Sequence, residues 1–152
     1  MSSKQIKKKA IIVDLDGTLT NLDQRVHLVQ RKEPNWKEFY DGMGEDKVNA
    51  WCESIVRLFH ADNNAIILIT GRPSNYENLT KDWLARHNIP YSYLYMRDSS
   101  DYRSDALIKK EIYDKYVKDT YDVHFVLDDR KSVVTMWREI GLTCLQPDWG
   151  EF

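Results

Sequence analysis

A doubly wound α/β fold, a parallel sheet covered by helices on both faces, is predicted by three features of this 152-residue sequence. Short apolar runs alternate with segments of helical periodicity; the first two, Ala10–Val13 and Ala65–Ile69, are unbroken by polar residues, as strands buried on both faces are; and three of the four strands end at polar clusters. In such sheets ligands bind beyond the carboxyl ends of strands, near the point where strand order reverses.

In chain order, a lysine-rich start, residues 1–8, reads as a flexible, solvated leader. Ala10-Ile11-Ile12-Val13 is then a buried strand, ending at Asp14-Leu15-Asp16-Gly17-Thr18. A polar, irregular stretch from Asn21 to Glu45 follows. Val48, Trp51, Cys52, Ile55, Val56, Leu58 and Phe59 then recur at helical spacing. Ala65 to Ile69 is a second buried strand, ending at Thr70-Gly71-Arg72, with Pro73 marking the break before a helix over residues 75–87. Tyr91 to Met96 gives a third strand, with Tyr91, Tyr93 and Tyr95 alternating as strand residues do; tyrosines in this region also suit stacking on bases. A helix over 104–118, a strand from Val123 to Leu127 ending at Asp128-Asp129, a helix through Trp137 and a short strand from Leu142 to Leu145 complete the pattern.

The length fits one domain with one core. With 42% hydrophobic and 30% charged residues, the chain has the balance of a soluble globular protein. No apolar run approaches the roughly 20 residues of a membrane span, and the start lacks a secretory signal, which makes a cytoplasmic location the expectation. Cys52 and Cys144 lie in apolar settings without metal-ligand spacing and are expected to be buried, reduced thiols. A net charge of −2 excludes a strongly basic protein that coats nucleic acid, but not an enzyme that grips one strand end.

Asp14 and Asp16 sit two apart after a buried strand, with Gly17 allowing a tight turn, so both can face one spot: one to attack, one to handle protons. Turn-forming aspartates are the plainer alternative, although two acids at the end of a buried strand are costly without a partner such as a metal. Asp128 and Asp129 form a second pair, which with Asp14 offers hard oxygen ligands for Mg²⁺; alone, that pair would suit a helix N-terminus equally. Asp105 and Lys109, four apart, fit an exposed pair worth about 0.3–0.5 kcal/mol as well as they fit a phosphate-binding lysine held by its acid, and the spacing leaves both open. Arg25, Arg72, Arg97 and Arg103 lie in loops or at element ends, where forked guanidinium groups can bind phosphate oxygens.

Taken in order, Asp14-Leu15-Asp16-Gly17-Thr18, Ile69-Thr70-Gly71-Arg72, Lys109 and Leu127-Asp128-Asp129 resemble the four motifs of the haloacid-dehalogenase (HAD) superfamily of phosphotransferases. A closer resemblance is to the 3′-phosphatase domain of bacteriophage-type polynucleotide kinase/phosphatase. It rests on DxDGTLT followed by Arg25, on the run from Arg97 through Arg103 to Asp105 and Lys109, and on the ending Asp128-Asp129-Arg130, Met136-Trp137-Arg138 and Gly150-Glu151-Phe152. Two departures stand out: no GxxxxGK[ST] phosphate loop occurs, so the kinase activity of the bifunctional relatives is not expected, and Ser100 replaces a glycine of the family pattern.

The resemblance implies a Rossmann-like HAD fold with a small or absent cap, and Mg²⁺-dependent removal of a 3′-phosphate from DNA or RNA ends. Asp14 would be the nucleophile, forming an aspartyl-phosphate, with Asp16 as acid and base and Lys109 completing the catalytic set. Asp14, Asp16, Asp128 and Asp129 would belong to the metal site. Thr70, Gly71, Arg72, Arg25, Arg97, Arg103 and Asp105 would bind phosphate or organise the site. Asp16, surrounded by acids, is expected to have a raised pKa. The short segments between motifs imply an open site that admits a polymer end, with a separate kinase and ligase as partners. The alternatives are a phosphatase of the same superfamily for a nucleotide, another small metabolite or a phosphoprotein, and a non-catalytic binding module.

Overall fold

A computed structural model describes residues 6–151. Five strands, β1 (Lys8–Val13), β2 (Ala65–Pro73), β3 (Tyr93–Arg97), β4 (Tyr121–Leu127) and β5 (Cys144–Leu145), form one all-parallel sheet in the order β3-β2-β1-β4-β5. The chain steps from β1 outward to β3 and then crosses back to β4, so strand order reverses between β1 and β4. Asp14 follows β1 and Asp128 follows β4, which puts both acidic pairs at that switch point.

Alternation along the strands divides the core in two. Ala10 and Ile12 of β1, with Ile67 and Ile69 of β2, face Val133, Val134 and Trp137 of helix α5 (Lys131–Glu139). Ile11, Val13, Ile66 and Leu68 face the other way, onto Cys52 and Val56 of α2 (Ala50–Ala61) and Trp83 and Leu84 of α3 (Glu77–Arg86). Both faces of the central strands are thus buried, the reason they read as unbroken apolar runs. Cys52 and Cys144 are buried and free, and no helix among the described residues is long and apolar enough to cross a membrane.

The structure corrects several boundaries. Lys8 is the first residue of β1, paired with Tyr121, rather than the end of a leader; residues 1–5, Lys4 included, lie outside the described residues. Pro73 ends β2 instead of following it, at a register shift opposite Arg97, where its missing N–H costs the ladder least. The helix over 104–118 is α4 (Asp105–Ile112) followed by a wider π turn, Tyr113–Val117. The stretch from 21 to 45 is not irregular: it holds α1 (Trp36–Asp41) between two 3₁₀ turns, packed on its own small core of Leu22, Leu28, Val29 and Phe39. On the edge strand, Tyr95 stacks between Tyr93 and Tyr116 with centroids 6.0 and 4.7 Å away, so these tyrosines pack on one another.

Candidate active site

The turn after β1 is built by its own backbone. Thr18 N and Thr20 N both donate to the Leu15 carbonyl, and Gly17 takes a φ of +83° that favours glycine. The amide of Asn49, at the start of α2, donates to the carbonyls of Thr18 and Thr20 and ties the turn to the scaffold. A Cβ at Gly17 would lie 2.1 Å from Asp129 Oδ2, so the turn closes directly on the second acidic pair.

Asp14, Asp128 and Asp129 are all buried, and each offers a carboxylate oxygen within 4.8 Å of the others. Lys109, also buried, donates from Nζ to Asp14 Oδ1 and Asp128 Oδ2, each at 2.9 Å; Trp137 Nε1 donates to Asp128 Oδ2 at 3.2 Å. Three carboxylates and one ammonium leave a deficit of positive charge. Burial and the Asp128 carboxylate push Asp14 well above the usual carboxylate range even beside Lys109. The same two causes bring Asp129 to about 7. Burial works against the Lys109 charge, but Asp128 and Asp14 outweigh it and hold the ammonium protonated. Three buried oxygen donors with excess negative charge fit a hard divalent cation.

Asp16 stands apart from that cluster. Arg72 donates to it from Nε (3.2 and 3.1 Å) and Nη2 (2.8 Å), and Arg25 Nη2 makes a further short contact. Burial alone would raise its pKa, but the two guanidinium groups reverse the sign and hold it well below the usual range, correcting the expectation of a raised value. Its carboxylate is not among the three, Asp14, Asp128 and Asp129, that come within 4.8 Å of one another, in keeping with the expectation that Asp16 does not bind a metal through its side chain.

Arg25 and Arg72 are themselves buried and committed to the protein. Arg25 donates to both oxygens of Asp46, at 2.8 and 2.6 Å, and to the Phe39 carbonyl; Arg72 Nη1 donates to Thr80 Oγ1. In this conformation they organise Asp16 rather than present themselves to a phosphate. Arg97 likewise donates to the carbonyls of Gly71, Asp101 and Arg103 and to Asp105 Oδ1, bracing the loop that leads into α4. Arg103, half exposed, pairs with Asp101 and Glu111. Asp105 takes Arg97 on one oxygen and Arg130 on the other (3.3 Å). Burial would raise the Asp105 pKa, but the charges of Lys109, Arg130 and Arg97 hold it below its ordinary value. Thr70 Oγ1 accepts from Arg72 N at 3.1 Å and shapes the turn after β2.

Gly71 leaves room for Asp105: a Cβ there would lie 1.9 Å from Asp105 Oδ1. Gly71→Ala is therefore expected to push Asp105 off Arg97 and to lower stability by about 1–3 kcal/mol, read from urea denaturation.

Four participants were given no role at the site from the sequence: Asp46, which holds Arg25, and Trp36, Tyr40 and Arg130, which wall the space above Asp14. Asp46, Trp36 and Tyr40 fall in or just beyond the polar stretch, where no periodicity marks them; Arg130 directly follows the second acidic pair, and that adjacency was the available signal. Trp36, Phe39 and Tyr40 border a small cavity bounded by Asp14, Asp16, Asp105 and Asp129.

Known proteins match this arrangement. The family described as "Polynucleotide kinase PNKP phosphatase domain" matches residues 8–152. A protein of Autographa californica nuclear polyhedrosis virus, named as a candidate bifunctional polynucleotide kinase/RNA ligase, is 30% identical over 139 residues, covering 88% of this chain and 18% of that protein. A solved chain of a Pnkp1/Rnl/Hen1 RNA repair complex superposes with a TM-score of 0.83 at 36% identity, covering 96% of this chain and 44% of its own length. The class C acid phosphatase of Bacillus anthracis, at 18% identity and a TM-score of 0.62, with 96% of this chain and 71% of that one covered, shares the fold. The chain thus spans half or less of the polynucleotide kinase relatives it matches. With the acidic triad, the bridging lysine and a match over nearly its whole length, the chain belongs to the phosphatase-domain family of polynucleotide kinase PNKP.

Proposed function

We propose that this chain is an Mg²⁺-dependent phosphatase that removes the 3′-phosphate from nucleic-acid ends, and that it works in the cytoplasm, where its two buried thiols stay reduced. The observation that carries the reading is the Lys109 bridge between Asp14 and Asp128, beside Asp129 at the switch point of the sheet.

Asp14 attacks phosphorus through a carboxylate oxygen; the bond to the 3′-oxygen breaks and Asp16 delivers a proton to that oxygen. Water then attacks phosphorus of the aspartyl-phosphate, gives its proton to Asp16, and leaves inorganic phosphate and free Asp14. Asp16 starts ionised under Arg72 and Arg25, so it needs a proton before the first step. The charge of an arriving phosphate competes for those guanidinium groups, loosens their hold and raises the Asp16 pKa. Asp14, Asp128 and Asp129 would hold Mg²⁺, which would supply positive charge to keep these carboxylates ionised and to offset charge on the transferring group. Lys109, donating to Asp14 and Asp128, stabilises the same developing charge. The cavity over Asp14 opens into the groove that Trp36, Tyr40, Asp105 and Arg130 also line, which gives the phosphate its way in.

The relatives are named as a kinase/ligase and as part of an RNA repair complex, which supports a kinase and a ligase as working partners of this chain. The test is phosphate release, with Mg²⁺ and with EDTA, from a 3′-phosphorylated oligonucleotide, its 5′-phosphorylated twin and a 3′-mononucleotide. Release confined to the 3′ end and abolished by EDTA is expected. Equal or faster release from the mononucleotide would leave the chemistry in place and remove the polymer end as substrate.

A further inference from the structure

Two grooves flank the small cavity above Asp14, and they differ in chemistry. One, of about 800 Å³, is lined on its charged side by Asp23, Asp129, Asp148 and Glu151 with no lysine or arginine. The other, of about 540 Å³, carries Lys37, Arg97, Arg103 and Arg130, ion-paired with Asp41, Asp101, Asp105 and Glu111. A polyanion is repelled from the first and meets balanced charge in the second.

The second groove also offers flat rings. Trp36 and Tyr40, four apart on α1, share a face and stack with centroids 5.9 Å apart; Tyr76 continues the series, 5.5 Å from Tyr40. Arg130 lies 5.8 Å over the Trp36 ring, and Tyr102 at the far side of the groove is 90% exposed. Trp36, Tyr40, Asp105 and Arg130 line both the groove and the catalytic cavity, so the two are continuous.

Building on the reading above, we infer that the groove of Trp36, Tyr40, Tyr76 and Tyr102 is the track on which the last unpaired nucleotides of the substrate strand stack, directing its 3′-phosphate to Asp14. Base faces are available for stacking in a single strand and occupied in a duplex, so the occupant is a single-stranded 3′ end. Stacking tolerates any base, and the track therefore reads strand length rather than sequence.

The experiment compares kcat/KM for a single-stranded 3′-phosphorylated tetranucleotide with that for p-nitrophenyl phosphate, in the full chain with Mg²⁺. Tyr76→Ala and Tyr102→Ala are expected to lower this ratio about tenfold each. Trp149→Ala, an exposed ring in the acidic groove, is expected to leave the ratio as in the unmodified chain. The exposure of Tyr102 makes its variant safe for folding, and Trp36→Phe, which keeps a ring, should retain most of the ratio. Unchanged ratios in both tyrosine variants, or a fall in Trp149→Ala instead, would overturn the track while a strong tetranucleotide preference still upheld the 3′-end reading. No tetranucleotide preference in the unmodified chain would overturn both.

Discussion

Asp14→Asn is expected to abolish phosphate release, by at least about 10⁴-fold, and at the same time to make the metal-free protein less sensitive to pH. The first effect follows because an amide cannot form the acyl-phosphate bond. The second follows from the crowding of Asp14, Asp128 and Asp129 within 4.8 Å of one another. Asp129 has a folded pKa of about 7 and Asp14 one well above its ordinary value, so both bind protons more tightly folded than unfolded. Stability from this cluster is therefore greatest at or below the unfolded pKa near 4 and is lost as pH rises through the folded values. Asp16 has the opposite sign: its depressed pKa gives stability that is present above about pH 4 and disappears only in stronger acid. Between pH 5 and 8 the triad dominates, and the unmodified protein in EDTA is expected to lose on the order of 5 °C in melting temperature. The Asp14→Asn substitution removes one of the three charges and flattens that slope, while Mg²⁺ raises the upper end in the unmodified chain. Thermal melts of both proteins at several pH values, with EDTA and with Mg²⁺, check this; a slope as steep in Asp14→Asn would mean that Asp14 does not share the charge of the cluster.

The parts of this molecule that were legible in the sequence are those set by local pattern. Continuous apolar runs give β1 and β2 because both faces of the sheet are covered there, and the polar residues directly after them, like those after β4, fall at the strand ends where such sheets bind ligands. What the pattern could not supply is pairing across the chain. Asp16 sits among acids in sequence, yet the arginines that decide its charge come from 9 and 56 residues away. Asp46 has no pattern at all around it; it matters because the fold brings Arg25 to both of its oxygens. The segment from 21 to 45 reads as loop since its small core of Leu22, Leu28, Val29 and Phe39 is too short to show a period, but it provides Arg25 and the Trp36–Tyr40 wall. Asp105 and Lys109 are the clearest case of an ambiguity that only structure resolves. The helical spacing allowed an exposed pair; instead Asp105 takes Arg97 and Arg130, and Lys109 turns inward to Asp14 and Asp128.

That inward turn predicts a loss in both stability and activity for Lys109→Met. The side chain is 1% exposed and its ammonium is the positive charge among three buried carboxylates. Removing one partner of a buried ion pair leaves the other uncompensated, at a cost of about 3–5 kcal/mol, whereas an exposed helical pair would lose about 0.3–0.5 kcal/mol. Urea denaturation in EDTA at pH 7.5 separates those outcomes by an order of magnitude. The loss should shrink at pH 5.5, where Asp129 is protonated and the repulsion is smaller, and it should shrink again when Mg²⁺ is added at pH 7.5. Turnover is expected to fall about 10²–10³-fold even when Mg²⁺ has restored the fold, because the donor on Asp14 acts on charge that develops as the phosphoryl group moves. Lys109→Arg should rescue neither property well: the planar fork needs more width than the 2.9 Å contacts to Asp14 and Asp128 leave, and it cannot place a single point charge between them. A Lys109→Met protein with full stability in EDTA and full turnover would put Lys109 back on the surface and require a different source of positive charge for the transferring phosphate.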